Sequence, residues 1–452
     1  MTKKIPFVGL HAHSVAGSIF DAIGYPDEHM DFCYENGGEA LALTDHGNMN
    51  GFSHQFLHWQ KMKAEGKEFK PIFGVEAYFL PSIDEWRDDY ERIKEDKKLA
   101  KSLAKQGDTS GATVEDEDAS KKAIKSVINR RRHLVLLAQN QTGLNNLFKL
   151  ISESYHEENF YRYPRVDYKL LDKYSEGVIA ASACLGGPYA GNYWANREEG
   201  PEAVREAMRE TTRQFVKIFG DRWYGELQWN NIPEQHELNQ YIIEVCKEFG
   251  VTLISTADSH YPNTEAWKDR ELYKRLGWLG KGTPAWAEDN TELPDGVEEI
   301  GYELYPKNGN QMWDAYKYYS KTAGVEYDDQ LVMDSITETH NIAFNRIESF
   351  VPDTTVKLPD FVVPAGFTDA EALVNYALEG LRQRSLHDNT EYTDRLQMEL
   401  DVIEDRGFSK YFLTMKAISD KANEVQLTCV RMQRTIQTLI MMWRSPWNLK
   451  RC

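Results

Sequence analysis

The feature that most constrains this chain is a recurrence. Over roughly the first 275 residues, short apolar runs repeatedly end in, or begin with, a histidine, aspartate, glutamate or cysteine. The runs are Phe7–Leu10, Glu39–Leu43, Pro71–Phe79, His133–Ala138, Val178–Ala183 and Val251–Thr256. Each reads as a buried strand, and amphipathic stretches such as Glu28–Tyr34 and Glu202–Phe219 lie between them. Strands alternating with helices predict parallel pairing in an α/β fold. Polar residues gathered at strand ends point to a barrel with its site at one rim.

Four features carry the chemistry. His11-Ala-His13 follows a strand, and residues two apart on a strand share a face, so both imidazoles can reach one ion. Asp21 can bring a carboxylate to the same pocket. Leu41-Ala-Leu-Thr-Asp45-His46-Gly47 is an apolar strand ending at a histidine, with a glycine to permit the tight exit turn. Pro71-Ile-Phe-Gly-Val-Glu76 sets a carboxylate in an apolar strand, where an unpaired charge costs several kcal/mol and demands a partner or a metal. Thr256-Ala-Asp258-Ser-His260 is a second i, i+2 pair at a strand end. His133, which opens a strand after Arg130, Arg131 and Arg132, and Cys184, which closes one, complete the set.

Each feature alone is weak; their recurrence carries the reading. Mixed imidazole, carboxylate and thiolate donors suit Zn²⁺, Mn²⁺ or Fe²⁺ better than Mg²⁺ or Ca²⁺. Nine potential ligands exceed the needs of one ion, so two or three divalent ions are expected. Closely spaced ions support hydrolysis of phosphate esters.

Composition narrows the class without deciding function. The length of 452 residues allows two or three domains, and 41% hydrophobic with 12% aromatic residues are values of a soluble globular chain. No apolar run approaches the roughly 20 residues that cross a bilayer, and the start is too short for a signal peptide. Five scattered cysteines without a CxxC pair predict a reducing, cytoplasmic setting. A net charge of −18 argues against coating nucleic acid by bulk electrostatics, although a local basic groove remains compatible with it.

The barrel rhythm is interrupted once, at 83–132, where charged residues dominate and two polar helices around a loop are expected as a rim insertion. From about Leu276 the pattern changes: Trp278–Gly309 is rich in Gly, Pro and Trp, and helical periodicity resumes at Gln311–Ser320, Leu331–Arg346 and Thr368–Ser385. Pro352, Pro359 and Pro364 suggest an extended crossing segment.

These residues resemble the PHP (polymerase and histidinol phosphatase) family, and specifically the variant at the N-terminus of bacterial DNA polymerase III alpha subunits. The segments that carry the resemblance are Gly9-Leu-His-Ala-His-Ser, Ala42-Leu-Thr-Asp-His-Gly-Asn-Met, Lys70-Pro-Ile-Phe-Gly-Val-Glu-Ala-Tyr, His133-Leu-Val-Leu-Leu-Ala, Ala181-Ser-Ala-Cys-Leu-Gly-Gly and Asp258-Ser-His-Tyr. The resemblance implies nine metal ligands: His11, His13, Asp21, His46, Glu76, His133, Cys184, Asp258 and His260, with none replaced. It also implies a distorted (β/α)7 barrel over 1–275, followed over 276–428 by a mainly helical α+β region that begins the polymerase palm. Leu358-Pro-Asp-Phe-Val-Val-Pro-Ala-Gly-Phe, Arg395-Leu-Gln-Met-Glu-Leu-Asp-Val-Ile and Gly407-Phe-Ser-Lys-Tyr-Phe-Leu carry that second part.

After Thr428 the resemblance stops. Residues 429–452 form an unrelated tail with five Arg or Lys and no acids, read as intron read-through, a frameshift or the start of an intein. The palm aspartates that would hold the catalytic metals of nucleotidyl transfer are therefore expected to be absent. The implied function is that of the N-terminal part of a replicative polymerase with a 3′→5′ exonuclease-type PHP site. Its implied partners are the primer–template 3′ end of DNA and other replisome subunits, with no membrane. A stand-alone phosphatase for small phosphomonoesters and a non-catalytic scaffold are the alternatives.

Overall fold

A computed structural model describes residues 4–105, 127, 129–278, 303–355 and 361–424. Six strands form one sheet in sequence order: β1 (Ala40–Leu43), β2 (Lys70–Phe79), β3 (Arg132–Ala138), β4 (Val178–Ala181), β5 (Trp223–Gln228) and β6 (Thr252–Thr256). The segment before β1 joins the two edges. Gly9 bridges to Leu41 and Ala12 to Ser259, both in parallel. Thr44 N donates to Ala12 O at 2.7 Å, and His13 N donates to Ser259 O at 2.7 Å. The sheet thus curls into a closed barrel of seven staves, which satisfies backbone groups that two open edges would leave bare.

Eleven helices are described in this first part: α1 (Pro26–Glu35), α2 (Phe52–Ala64), α3 (Ile83–Lys105), α4 (Gln141–Ser154), α5 (Tyr168–Tyr174), α6 (Pro188–Asn196), α7 (Pro201–Phe219), α8 (Pro233–Phe249), α9 (Trp267–Trp278), α10 (Gly309–Ala323) and α11 (Asp329–Asn341). Local chemistry sets their limits. The Asn140 side chain caps α4 by accepting from Gly143 N, and α7 begins on Pro201. Along α7, Val204, Met208, Thr212, Phe215 and Phe219 recur every three or four residues and are all buried. Phe215 stacks on Trp223 of β5 at 4.1 Å between ring centroids, so the helix is clamped to the barrel wall.

One expectation needs correction. Pairing is not parallel throughout: β3 runs antiparallel to both β2 and β4, whereas β1–β2, β4–β5 and β5–β6 are parallel. The cause is the charged insertion. It leaves the end of β2 as α3 and folds back on itself, with Trp86 Nε1 donating to Val127 O at 3.0 Å and Arg130 paired with Asp89 at 2.7 Å. The chain therefore re-enters the sheet at the rim it had just left. The second helix and loop expected there fall mostly outside the described residues.

The first compact unit runs to Pro352. The reason is packing: Val332 and Ile336 of α11 belong to the barrel's main core, and Ser335 Oγ lies 2.8 Å from Ser255 Oγ of β6. The second unit begins at Asp353. Its described part holds α12 (Asp369–Gln383), α13 (Thr390–Asp405) and α14 (Ser409–Glu424) around Ala372, Leu373, Leu400 and Leu413. The Gly/Pro/Trp-rich junction and residues 429–452 lie largely or wholly outside the described residues. Among the described residues, no helix is long and apolar enough to cross a membrane.

Candidate metal centre

All nine sequence-singled residues come to one rim of the barrel. His11 and His13 sit on the closing stave, His46 in the turn after β1, Glu76 in β2, Cys184 after β4, and Asp258 and His260 after β6. His133 lies near the start of β3, and the antiparallel course of that strand brings its beginning to the rim where the other strands end. Seven of the nine fall into three overlapping groups whose ligand atoms lie within 4.8 Å of one another. One is His11, His13, Glu76 and Asp258; the second is His46, Glu76 and His133; the third is His13, His46 and His260. Asp21 and Cys184 border these groups. Asp21 Oδ2 is 3.0 Å from His46 Nε2 and 3.5 Å from His260 Nε2, and Cys184 Sγ is 3.7 Å from His133 Nδ1.

Glu76 is the hinge of the arrangement. Its Oε2 is 2.6 Å from His11 Nε2 and 3.4 Å from His13 Nε2, while Oε1 is 3.1 Å from His46 Nδ1 and also contacts His133 Nδ1. His13 Nε2 and Asp258 Oδ1 are 3.1 Å apart, yet both are buried without a hydrogen-bond partner. Two buried polar atoms that close, and not aligned with each other, fit a shared cation.

Electrostatics agree with that fit. Burial opposes charge on Glu76, but the His133 and His46 imidazoles outweigh it and hold the carboxyl well below its usual range. Burial likewise works against a proton on His11, yet the Asp258 and Glu226 carboxylates lift it well above the ordinary imidazole value. Burial, with the Arg270 guanidinium and the His13 imidazole adding to it, takes His260 down to about 4 despite the Asp258 and Asp21 carboxylates nearby. The pocket thus stabilises positive charge at its carboxylates, which is the condition for holding divalent ions. Burial, with Asp258 and Glu76 adding to it, raises the Cys184 thiol well above its usual value, so a thiolate there requires a neighbouring cation.

The rim is assembled under strain. Phe20, Ala183 and Asp258 have φ of 64°, 57° and 50°, and each is a site residue or immediately precedes one. Non-glycine residues in this region cost about 1–3 kcal/mol each and persist where surrounding structure holds them. Asp45 supplies part of that hold: it accepts from Ser14 N at 2.7 Å, Ser14 Oγ at 2.9 Å and Ser18 Oγ at 2.9 Å. Gly47, at φ 65°, is required because a Cβ there would meet Tyr78 and Pro164 at 3.0 Å.

Sequence reasoning missed Glu226. It is buried on β5, its Oε1 accepts from His11 Nδ1 at 2.7 Å, and Thr256 Oγ1 and Gln228 Nε2 donate to the same oxygen at 2.5 and 3.1 Å. The strand itself was overlooked, although Trp223-Tyr-Gly-Glu-Leu-Gln follows a helix and a Gly220 turn and repeats the apolar-run-with-carboxylate signature of β2. Arg270 was also missed; its Nη2 lies 2.7 Å from Asp21 Oδ1 and fixes that carboxylate.

Comparison with known sequences places the chain. The PHP domain family model matches residues 9–230, and the model described as the bacterial DNA polymerase III alpha NTPase domain matches residues 371–431. DNA polymerase III subunit alpha of Aquifex aeolicus is 35% identical over 417 residues, covering 91% of this chain and 31% of that protein. The Borreliella burgdorferi subunit is 30% identical over 414 residues, covering 91% of this chain and 30% of its own length. Among solved structures, an amidohydrolase from Chromobacterium violaceum overlaps 59% of this chain at 13% identity and a TM-score of 0.28, too loosely to carry an argument. The chain spans about a third of the length of the curated relatives it matches. It is a PHP-domain protein, homologous along nine-tenths of its length to the N-terminal region of bacterial DNA polymerase III alpha subunits.

Proposed function

We propose that this chain acts as the N-terminal part of a replicative DNA polymerase of the polymerase III alpha type, and that its PHP centre hydrolyses phosphodiesters at DNA 3′ ends. The observation that carries this reading is the sharing of Glu76, His13 and His46 between groups, which suits two or three ions a few ångströms apart. Glu76, His11, His13 and Asp258 would hold one ion. Glu76, His46 and His133 with Cys184 would hold a second, and His13, His46 and His260 with Asp21 a third. The donor set favours Zn²⁺, Mn²⁺ or Fe²⁺. When bound, such ions supply Lewis acidity to the phosphate and activate water at neutral pH.

The protein's own contribution is shape. The side chains of His11, His13 and Glu76 are fully buried and form the floor, whereas His133 (24% exposed) and Asp21 (40% exposed) mark the open side from which a strand end can approach. Arg270 and Glu226 hold Asp21 and His11 in place so that little reorganises on binding. The folded helical unit that follows, which matches the polymerase family, favours this reading over a stand-alone phosphatase. DNA and other replisome subunits are the corresponding partners.

The test gives the purified chain, loaded with Mn²⁺ or Zn²⁺, a DNA with a 5′-end-labelled primer and, separately, a small phosphomonoester. Primer shortening that disappears in His13→Ala and Asp258→Ala is the expected result. Release of phosphate from the small ester alone would make it a phosphatase, and neither activity would leave a scaffold; either outcome defeats the proposal.

A further inference from the structure

The three arginines before β3 have different fates. Arg130 is paired with Asp89 on α3, and Arg132 packs against Gly191 of α6. Arg131 turns to the barrel mouth. Its guanidinium carbon lies 3.8 Å from the Tyr163 ring centroid and 5.0 Å from that of Tyr78. No carboxylate among the described residues pairs with it, and its Nε is buried without a hydrogen-bond partner. Its Nη1 donates to Asn129 O at 3.1 Å, and the guanidinium also interacts with the Tyr78 side chain.

The position follows from strand geometry. Glu76 and Tyr78 are two apart on β2 and share a face, and Tyr78 stands opposite His133 in the antiparallel register. Arg131 is likewise two residues before His133. Tyr78 and His133 therefore form the tier directly above Glu76, and Arg131 stands one step further out, with the Tyr78 ring 5.6 Å from that of His133 and 6.1 Å from that of His46. Tyr163 is held from outside. Arg165, itself buried, donates to Tyr161 O at 3.0 Å and Tyr163 O at 2.8 Å, and lies 3.9 Å over Trp86. An unpaired, planar cation thus sits on a fixed aromatic shelf one tier above the metal groups, in a chain whose net charge is −18.

We propose that Arg131, seated on Tyr163 and Tyr78, binds the phosphate adjacent to the one at the metal centre. The centre would then take the end of a single-stranded oligonucleotide in preference to a small phosphomonoester. A guanidinium matches the oxygens of a phosphodiester in its planar fork, and removing the terminal electrostatic competition of a carboxylate leaves that fork available. The inference rests on the phosphodiesterase reading but concerns binding, which can be measured without turnover.

The experiment uses the full chain and a fluorescein-labelled thymidine octamer whose 3′-terminal linkage is a phosphorothioate, followed by anisotropy at several salt concentrations. Arg131→Gln is expected to weaken binding about tenfold and to reduce the salt slope by about 0.7, the loss of one single-strand phosphate contact. Arg131→Lys keeps the charge without the fork and should lose about threefold, which serves if the glutamine variant fails to fold. Arg130→Gln should leave binding within about twofold of wild type, because that arginine is already paired with Asp89. In turnover, the ratio of kcat/KM for the unmodified octamer to that for p-nitrophenyl phosphate should fall about tenfold in Arg131→Gln. Unchanged octamer affinity in both Arg131 variants, or equal losses at Arg130 and Arg131, overturns the proposal. If the wild-type chain hydrolyses neither substrate, the phosphodiesterase reading fails while the anisotropy comparison still decides this one.

Discussion

Replacing Glu226 by glutamine separates metal holding from folding. The carboxylate is buried and 2.7 Å from His11 Nδ1, so it fixes the tautomer in which His11 Nε2 carries a lone pair toward Glu76 and Asp258. Glutamine keeps the shape and an acceptor oxygen but removes the charge that raises the basicity of His11. Outer-shell partners of this kind are typically worth about 10–100-fold in metal affinity, or roughly 1.4–2.8 kcal/mol. The metal-free fold should not suffer, because Glu226 Oε2 has no hydrogen-bond partner and two further carboxylates, Glu76 and Asp258, crowd the same imidazole. At free metal a hundredfold above the wild-type Kd, binding stabilises by about 2.7 kcal/mol; a tenfold weaker site gives about 1.4 kcal/mol. For a unit this large the difference is about 2 °C in Tm or less. Thermal melts across a metal titration, with competition against a chelating dye, read both quantities. Unchanged metal affinity would refute the reasoning, as would a lower Tm confined to the metal-free protein.

Other perturbations follow from the same geometry. Gly47→Ala forces a Cβ into the left-handed region against Tyr78 and Pro164, and should cost roughly 1–3 kcal/mol in urea unfolding; an unchanged midpoint would show that the turn has room. His29 is buried and held down to about 4, chiefly by burial, from an ordinary value of 6.5. The unfolded chain therefore takes the proton first, and stability present above pH 6.5 is lost as the pH falls toward 4. In chelator-treated protein, moving from pH 7 to pH 5 should cost wild type about 2 kcal/mol more than His29→Gln, and equal losses would contradict it. Leu136→Ala, in a fully buried position of β3, should destabilise by about 2–5 kcal/mol, measured by denaturant unfolding, without altering the donor set of the centre.

Much of the centre was legible because strand periodicity is local. An i, i+2 spacing on an extended segment puts His11 with His13 on one face whatever the rest of the chain does, whereas Asp258 and His260 lie beyond β6 and meet the site through the left-handed backbone at Asp258. Strand direction is not local. The apolar run His133–Ala138 reads the same whether it pairs parallel or antiparallel, and only the route of the insertion, through Trp86 and Asp89, reverses it. Yet that reversal is what brings His133, placed at the opening of its strand, to the rim occupied by residues that close theirs. Glu226 went unseen because its strand is rich in aromatic and polar residues between two helices, and its role depends on contact with His11 from 215 residues away. The extent of the first compact unit is not written locally either: α11 reads as an ordinary amphipathic helix, and nothing in its own pattern says that Val332 and Ile336 join the barrel core. The capping boxes at Asn308 and Thr368, by contrast, are written in the residues themselves.

The central claim is that one barrel rim holds more than one divalent ion through a shared Glu76. Elemental analysis of the purified full chain after equilibration with Zn²⁺ or Mn²⁺ and removal of free metal tests it most directly. Two or three ions per chain, falling by at least one in Glu76→Gln while the fold is retained, is the expected result. One ion or none in the wild-type chain, or an unchanged count in Glu76→Gln, would contradict it.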